Sequence, residues 1–168
     1  MAILEILTYP DPFLKKPTLP VTDFDDRLQK MIEDMAETMY VAPGVGLAAN
    51  QAGFDKSVIV YDPEPDENRS FQVLVNPVIL EMRGEVNSEN EGCLSVPDYR
   101  TDVRRAEWLR VEGFDRFGTP LKFETDGFLA IILQHEIDHL NGILFIDRIS
   151  ALKRSMYKRK VMKQLKNP

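Results

Sequence analysis

Gln134-His135-Glu136-Ile137-Asp138-His139 is the most informative stretch of this 168-residue sequence. It lies within residues 125–141, a largely apolar run that is predicted to form a helix, with Gly142 placed to end it. Two histidines four residues apart lie on one face of a helix and can chelate a single ion. Glu136 directly follows the first histidine, so its carboxylate can reach a water on that ion without being a ligand. The stretch therefore predicts a helix that carries part of a catalytic metal site.

Apolar residues precede the histidines on this predicted helix. Phe128, Ile131 and Ile132 lie seven, four and three residues before His135, which places them on the same helix face. We expect this face to be buried, and buried imidazoles need partners that a metal ion would supply. The three apolar side chains are either core residues or the wall of an apolar substrate pocket.

Two ligands on a helix require a third from elsewhere in the chain. Metzincin proteases place a third histidine where this sequence has Phe145, and no other histidine is present. Thermolysin-like enzymes use a distant glutamate, and this acidic chain contains several. The other candidate is Cys93, the only cysteine, which would usually be a small buried apolar residue. Its neighbours Gly92 and Ser95 are unlike a strand interior, and a Cys-His-His set leaves a fourth position open for catalysis.

A segment with two glycines, Gly44-Val45-Gly46-Leu47-Ala48-Ala49-Asn50-Gln51, follows the first predicted helix. Glycines separated by one residue allow a backbone to approach a ligand closely. The segment is not a dinucleotide-binding fingerprint, because the third glycine is missing and no strand leads into it. Taken alone, the segment would be interpreted by default as a plain loop and the start of a helix.

Hydrophobic patterns elsewhere predict an α+β fold, in which mostly antiparallel sheets pack around the central histidine-bearing helix and a further helix ends the chain. The first 20 residues contain four prolines and are predicted to be extended. A helix is predicted over residues 24–40, capped by Thr22 or Asp23. Short connections favour antiparallel pairing. Only Asn76-Pro77 separates two of the runs, which is compatible with one strand that is interrupted by a bulge or by an edge proline. The predicted strand segments are 58–61, 71–75, 78–82, 108–114, 121–123 and 143–146.

Composition and charge narrow the class of protein. We expect residues 1–168 to form a single domain that folds without a disulfide. One cysteine, no signal peptide and no apolar run of membrane-spanning length indicate a cytoplasmic protein with no membrane partner. The formal net charge is −6, yet no acidic residue follows Asp147 and eight basic residues do. Residues 150–168 are predicted to form a basic helix, either solvated or docked on an anionic partner, with Leu152, Met156 and Met162 turned inward.

Three segments together resemble the signature motifs of the peptide deformylase family. They are residues 44–51, Glu91-Gly92-Cys93-Leu94-Ser95, and residues 135–142. Their order and spacing match the family, and the similarity covers residues 1–150 and is greatest to the short bacterial type. The resemblance implies a hydrolase that removes the formyl group from the N-terminal methionine of newly synthesised polypeptides and releases formate. It also implies docking on the ribosome through the C-terminal helix.

The resemblance implies roles for individual residues as well. Cys93, His135 and His139 match the family's ligands for one divalent ion, which is Fe²⁺ physiologically and can be replaced by Zn²⁺, Ni²⁺ or Co²⁺. Glu136 matches the general acid/base that acts on a metal-activated water, and Gln51 and the backbone N–H of Leu94 match the groups that stabilise the oxyanion. The residues expected to bind substrate are Gly44, Val45, Gly46, Glu91, Arg100, Phe128, Ile131 and Ile132.

Two other functions are compatible with these residues. One is a metal-dependent protease that cleaves internal peptide bonds, and the other is a non-catalytic metal-binding module that holds RNA through its basic tail. For the site itself, we expect Asp138 to pair with Arg105 and so to help orient a ligand-bearing segment. By the general affinity order, Zn²⁺ binds such ligands more tightly than Fe²⁺ does.

Overall fold

Two antiparallel β-sheets and three α-helices contain most of the residues that the computed structural model describes, which are residues 2–167. The strands are β1 (Gly46–Ala48), β2 (Val58–Tyr61), β3 (Gln72–Arg83), β4 (Val86–Cys93), β5 (Val96–Arg105), β6 (Trp108–Phe114) and β7 (Pro120–Asp126). The helices are α1 (Asp26–Val41), α2 (Gly127–Leu140) and α3 (Ala151–Lys166). The predicted α+β fold with antiparallel sheets is confirmed. Within residues 2–167, none of the helices is long and apolar enough to cross a membrane.

The larger sheet, in the order β1-β2-β3-β6-β7, lies between α1 and α2. In β2, Val58 and Val60 pack into the core cluster that contains α1, while Ile59 and Tyr61 pack into the cluster that contains α2. All four side chains are buried, so the strand is a continuous apolar run rather than an alternating one. The sheet thereby forms the platform that supports α2.

Helix α1 begins later than predicted. Its N-cap is Asp25, whose carboxylate accepts a hydrogen bond from the Leu28 backbone N–H at 3.0 Å. The predicted caps Thr22 and Asp23 were wrong because the next residue, Phe24, does not enter the helix. Its ring packs edge-on against Phe114, with centroids 6.2 Å apart, and this contact holds the chain outside the first turn.

Strand β3 contains the predicted bulge. Asn76 has a φ of +51° and its backbone N–H donates to Ser57 O at 2.8 Å, while the pairing with β6 shifts register between Val75 and Val78. The Asn76 side chain accepts from Val21 N at 2.8 Å and donates to Val21 O at 3.0 Å. The two predicted runs are therefore one strand, as the spacing indicated.

The second sheet consists of β4 and β5, neither of which the sequence pattern predicts. β4 is mostly polar because it pairs with β5 alone, and in its Val86–Cys93 span only Ser88 and Glu91 are buried. Register shifts in this pairing further disrupt any alternation of apolar residues. Nevertheless, this two-stranded sheet places Cys93, the last residue of β4, beside α2.

The prediction of a strand at residues 143–146 was wrong. Leu144, Phe145 and Ile146 are all buried, so an uninterrupted apolar run imitates a core strand. The chain instead forms a 3₁₀ helix over Phe145–Arg148, whose start is held by Asp147 accepting from Leu144 N at 2.9 Å. The first residue of this short helix, Phe145, stacks its ring on His135, and the helix leads into α3.

The predicted inward positions of α3 were also wrong. Leu152, Met156 and Met162 are exposed, and the buried residues of the helix are Tyr157 and Val161. Tyr157 decides this orientation, because its ring packs on Tyr99 with centroids 4.8 Å apart and on Tyr9 at 5.7 Å. The basic side chains of α3 consequently share its solvent face with exposed apolar ones.

We expect Gly142→Ala to lower the free energy of unfolding by about 2–3 kcal/mol, because it combines a left-handed backbone with a steric overlap. Gly142 has a φ of +75°, and a Cβ there would overlap the carbonyl oxygen of Lys15 and lie 2.7 Å from its carbon. The matched control is Gly53→Ala, with a φ of +85° and no atom within 4 Å of an added Cβ. Gly53→Ala should cost only about 1 kcal/mol, measured by urea unfolding. Equal losses in the two variants would contradict the overlap.

Candidate active site

Three side chains that can bind a metal ion meet where α2 passes the end of β4. Successive turns of α2 carry His135 and His139, and Cys93 approaches them from β4. The Cys93 Sγ lies 3.2 Å from His139 Nε2, which lies 3.3 Å from His135 Nε2. All three ligand atoms lie within 4.8 Å of one another. The fold thus brings the predicted ligand set together.

These donor atoms suit a single divalent ion. Nitrogen and sulfur atoms bound tetrahedrally to one ion lie roughly 3.3–3.6 Å apart, close to the two separations that involve His139 Nε2. His135 Nδ1 lies 2.7 Å from Glu91 Oε1, so Nδ1 donates to the carboxylate and Nε2 keeps its lone pair for a cation. One thiolate and two imidazoles form a donor set that Zn²⁺ and Fe²⁺ both accept.

Glu91, which was predicted to bind substrate, has its carboxylate committed to other protein groups. It bonds His135 on one side and Arg105 on the other, where Arg105 Nε lies 3.2 Å from Oε2. Burial alone would raise the pKa of Glu91, but hydrogen bonds from His135 and Arg105 lower this pKa to about 2. An ionised, fixed carboxylate therefore orients His135. The predicted pair of Asp138 with Arg105 is present at 2.8 Å.

Glu136 lies beside the ligand set and lines the adjoining cavity. Burial raises the pKa of its carboxyl group to about 7. Its Oε1 atom is buried and has no hydrogen-bond partner among the described residues. A Cβ on Gly46 would lie 2.5 Å from Glu136 Oε2, so glycine at this position leaves room for the carboxylate.

Gln51 is held with its amide nitrogen towards the cysteine. The side-chain Oε1 accepts from Ala48 N at 3.0 Å, and Nε2 donates to Ser95 Oγ at 3.0 Å. Nε2 also lies 3.6 Å from Cys93 Sγ. Gln51 and Leu94 line the same cavity as Glu136, so the predicted oxyanion donors lie beside the predicted ligands. The cavity is therefore lined by the predicted hydrogen-bond donors, Gln51 and Leu94, and by the carboxyl group of Glu136.

The site opens into a cavity of about 860 Å³. The predicted substrate residues all line it: Gly44, Val45, Gly46, Glu91, Arg100, Phe128, Ile131 and Ile132. The expectation that Phe128 and Ile131 lie on a buried face was wrong, since Phe128 is 54% exposed and Ile131 is partly exposed. This helix face borders an open cleft, with Ile132 buried at its base. Arg100 is at the rim, where its guanidinium donates to Asn90 O at 3.3 Å.

Sequence reasoning missed three residues that support the site. Asn50 is fully buried and donates from Nδ2 to the His139 carbonyl oxygen at 2.6 Å. Ser95 accepts from Gln51, as described above. Both lie inside motifs that the sequence analysis identified, so their position next to candidate site residues was an available signal. Arg148, which bonds Asp138 at 2.6 and 2.7 Å, lies outside every motif and carried no such signal.

Comparison with known proteins agrees with this geometry. Residues 3–155 match the family model described as polypeptide deformylase. The peptide deformylase of Desulfosudis oleivorans is 53% identical over 167 residues, which cover 99% of this chain and 96% of that protein. The peptide deformylase of Syntrophobacter fumaroxidans is 50% identical over 99% of this chain and 98% of its own length. A crystal structure of a peptide deformylase from Legionella pneumophila superimposes with a TM-score of 0.90 at 48% identity, covering 99% of this chain and all of that one.

The fold and the site together define an enzyme of the hydrolase class. Within that class, the chain belongs to the polypeptide deformylase family. The family match and the relatives extend over nearly the full chain, so both sheets, α2 and the cavity lie inside the matched region.

Proposed function

We propose that this enzyme removes the formyl group from the N-terminal methionine of newly synthesised polypeptides and releases formate, and that it does so in the cytoplasm. The observation that carries the proposal is the buried carboxyl group of Glu136, whose Oε1 has no partner in residues 2–167, beside the Cys93-His135-His139 set. A free cysteine that serves as a ligand must stay reduced, which fits a reducing compartment.

Metal binding is part of the proposal. Cys93, His135 and His139 would hold one divalent ion, Fe²⁺ in the cell, and Zn²⁺, Ni²⁺ or Co²⁺ in preparations. When bound, such an ion polarises a carbonyl group and makes a bound water more acidic. Cys93 contributes its thiolate charge, and Glu91 keeps His135 oriented through Nδ1.

Glu136 moves the proton in the proposed reaction. Its carboxylate takes the proton from the attacking water, and the resulting acid then protonates the departing amine, because an amine leaves poorly as an anion. Burial raises the pKa of this carboxyl group above its ordinary value and so towards neutral pH, where a group both accepts and donates a proton readily. Gln51 Nε2 and the backbone N–H of Leu94 donate to the formyl oxygen as negative charge develops on it.

The cavity suits an N-terminal methionine. Phe128, Ile131 and Ile132 form an apolar wall, with Val45 also lining the cavity, and these side chains accommodate an unbranched thioether. The backbone at Gly44 and Gly46 is free of side chains and can pair with the extended peptide. Arg100, at the rim of the cavity, donates hydrogen bonds to carbonyl groups of the substrate peptide beyond its N-terminal methionine.

Formate release from formyl-Met-Ala peptides by anaerobically prepared, metal-analysed protein is the direct test. An unformylated peptide blocked at both ends serves as the control for cleavage of internal bonds. Formate production without internal cleavage supports deformylation, whereas cleavage of the blocked peptide would establish the protease instead. A metal-loaded protein that is inert towards every formylated peptide would favour a binding module.

Helix α3 is proposed to dock on the ribosome. Its basic side chains are largely exposed, while Tyr157 and Val161 belong to the core, so deleting the helix would damage the fold. Charge removal is the cleaner test, and Arg159, Lys160 and Lys163 are exposed. We expect their joint replacement by Gln to weaken ribosome binding and to reduce the slope of log affinity against log salt by about 2–3, with activity on short peptides unchanged.

The matched control for this prediction removes three exposed charges from the body of the protein. Arg27, Lys56 and Lys122 are suitable, because all three are exposed and lie outside α3. Binding is measured by co-sedimentation with ribosomes over a salt series. If both triple variants bind as the parent does at every salt concentration, α3 is a solvated helix and not a docking element.

A further inference from the structure

A continuous line of charge-assisted hydrogen bonds leads from the 3₁₀ helix before α3 to the metal-ligand set. Arg148 bonds both oxygens of Asp138, with Nε to Oδ2 at 2.6 Å and Nη2 to Oδ1 at 2.7 Å. Asp138 Oδ2 also accepts from Arg105 Nη1 at 2.8 Å. Arg105 in turn bonds both oxygens of Glu91. Glu91 Oε1 meets His135 Nδ1 at 2.7 Å, which completes the line.

The charges along this line alternate and balance. Arg148 and Arg105 are positive, Asp138 and Glu91 are negative, and the side chains of the inner three are at most 12% exposed. Without Arg148, the single guanidinium of Arg105 would face two carboxylates. Asp138 would then draw Arg105 away from Glu91, because a poorly solvated carboxylate needs a partner.

The segment that carries Arg148 also touches the ligand ring directly. Phe145 begins the same 3₁₀ helix, and its ring stacks on the His135 imidazole with centroids 6.3 Å apart and planes 26° apart. Movement of this segment would therefore disturb His135 in two ways. Phe145 would shift against the face of the imidazole ring, and Arg148 would disturb the line of hydrogen bonds that ends at Nδ1. Arg148 ties the segment to α2 at Asp138, which lies between the two histidines on that helix.

We infer that Arg148 is a positioning residue for the metal site: through Asp138, Arg105 and Glu91 it fixes the orientation of His135 and so strengthens metal retention. The inference rests on the proposed function in one respect, namely that a divalent ion binds Cys93, His135 and His139. Outer partners of a histidine ligand typically change metal affinity by 10–100-fold when they are removed. Since Arg148 acts through three intermediates and is partly exposed, its removal belongs at the lower end of that range.

The experiment compares Arg148→Met with the parent, both loaded with Co²⁺. We expect loss of Co²⁺ to a chelator to be about tenfold faster in the variant, together with an altered thiolate-to-cobalt absorption band. The matched control is Arg104→Met, because Arg104 lines the same surface cavity as Arg148 but its partner among residues 2–167 is the exposed Glu85, at 3.0 Å. Arg104→Met should retain Co²⁺ as the parent does. Arg148→Lys keeps the charge but not the two-point contact, and should restore retention in part.

A double-mutant cycle with Asp138→Asn tests the route of the effect. If Arg148 acts through Asp138, the double variant loses Co²⁺ no faster than Asp138→Asn alone. Additive rates, or equal retention in Arg148→Met and Arg104→Met, would overturn the inference. A fall in thermal stability with unchanged Co²⁺ spectrum and retention would also overturn it, since that is a purely structural effect. If the parent protein binds no Co²⁺ with a thiolate band, the proposed metal site itself fails.

Discussion

Replacement of Glu136 by Gln is expected to lower kcat/KM for a formylated peptide by about three to four orders of magnitude while the metal content stays that of the parent. The large effect follows from the two proton transfers assigned to one carboxyl group, since an amide can neither accept the first proton nor deliver the second. Gln has the same shape as Glu, so it fits beside Gly46, where space is limited. Formate release and metal analysis on the same sample measure both quantities, and Glu136→Ala should show a similar loss.

Glu89→Gln is the matched control for this prediction. Glu89 lines the same cavity as Glu136 but is exposed, and it lies outside the ligand set. The control removes one negative charge from the cavity and should change kcat/KM by less than about tenfold. If Glu136→Gln retains near-parental turnover, Glu136 is not the acid/base and the proposed mechanism is wrong. If it loses its metal instead, Glu136 contributes to binding of the ion.

The parts of the site that sequence could predict are those with local patterns. His135, Glu136 and His139 are fixed relative to one another by helical periodicity, so identifying the helix was sufficient to place them on one face. Gly142 has the expected left-handed φ of +75°, because few residues other than glycine end a helix in this way. The bulge at Asn76 followed from the neighbouring proline, which interrupts strand pairing.

The parts that sequence could not predict depend on contacts between distant segments. β4 and β5 have no apolar alternation, so nothing local distinguishes them from loops, although β4 places Cys93 at the site. Glu91 was grouped with the substrate residues on the resemblance of its motif alone. Its bonds to Arg105 and His135 span 14 and 44 positions and have no local signature.

Burial of individual side chains was similarly beyond local reasoning. Phe128 shares a helix face with His135, yet it is exposed because that face opens onto the cleft rather than onto another element. Tyr157, not the apolar residues around it, turns α3 towards the core, since its ring packs in a tilted arrangement on Tyr99 from the second sheet. Periodicity identifies a face, but the partner of that face is decided by the tertiary fold.

Replacement of Gln51 by Leu is expected to lower kcat for formate release by about 10²–10³-fold, equivalent to roughly 3–4 kcal/mol in the barrier, because one oxyanion donor is lost. The amide is well placed for this role, since Ala48 N holds Oε1 at 3.0 Å and leaves Nε2 directed towards Ser95 and Cys93. Leu also leaves the buried Ala48 N–H unpaired, which destabilises the fold by about 1–3 kcal/mol, so unfolding is measured in parallel.

Ser95→Ala separates loss of the donor from loss of its surroundings. This control removes the hydroxyl that accepts from Gln51 Nε2 at 3.0 Å but leaves the amide and its contact with Ala48 in place. It should keep kcat within about tenfold of the parent. A donor that acts on charge present only in the transition state lowers kcat and leaves KM nearly unchanged. A rise in KM with parental kcat in Gln51→Leu would instead mean that Gln51 binds the ground-state peptide, and its assignment as an oxyanion donor would then be wrong.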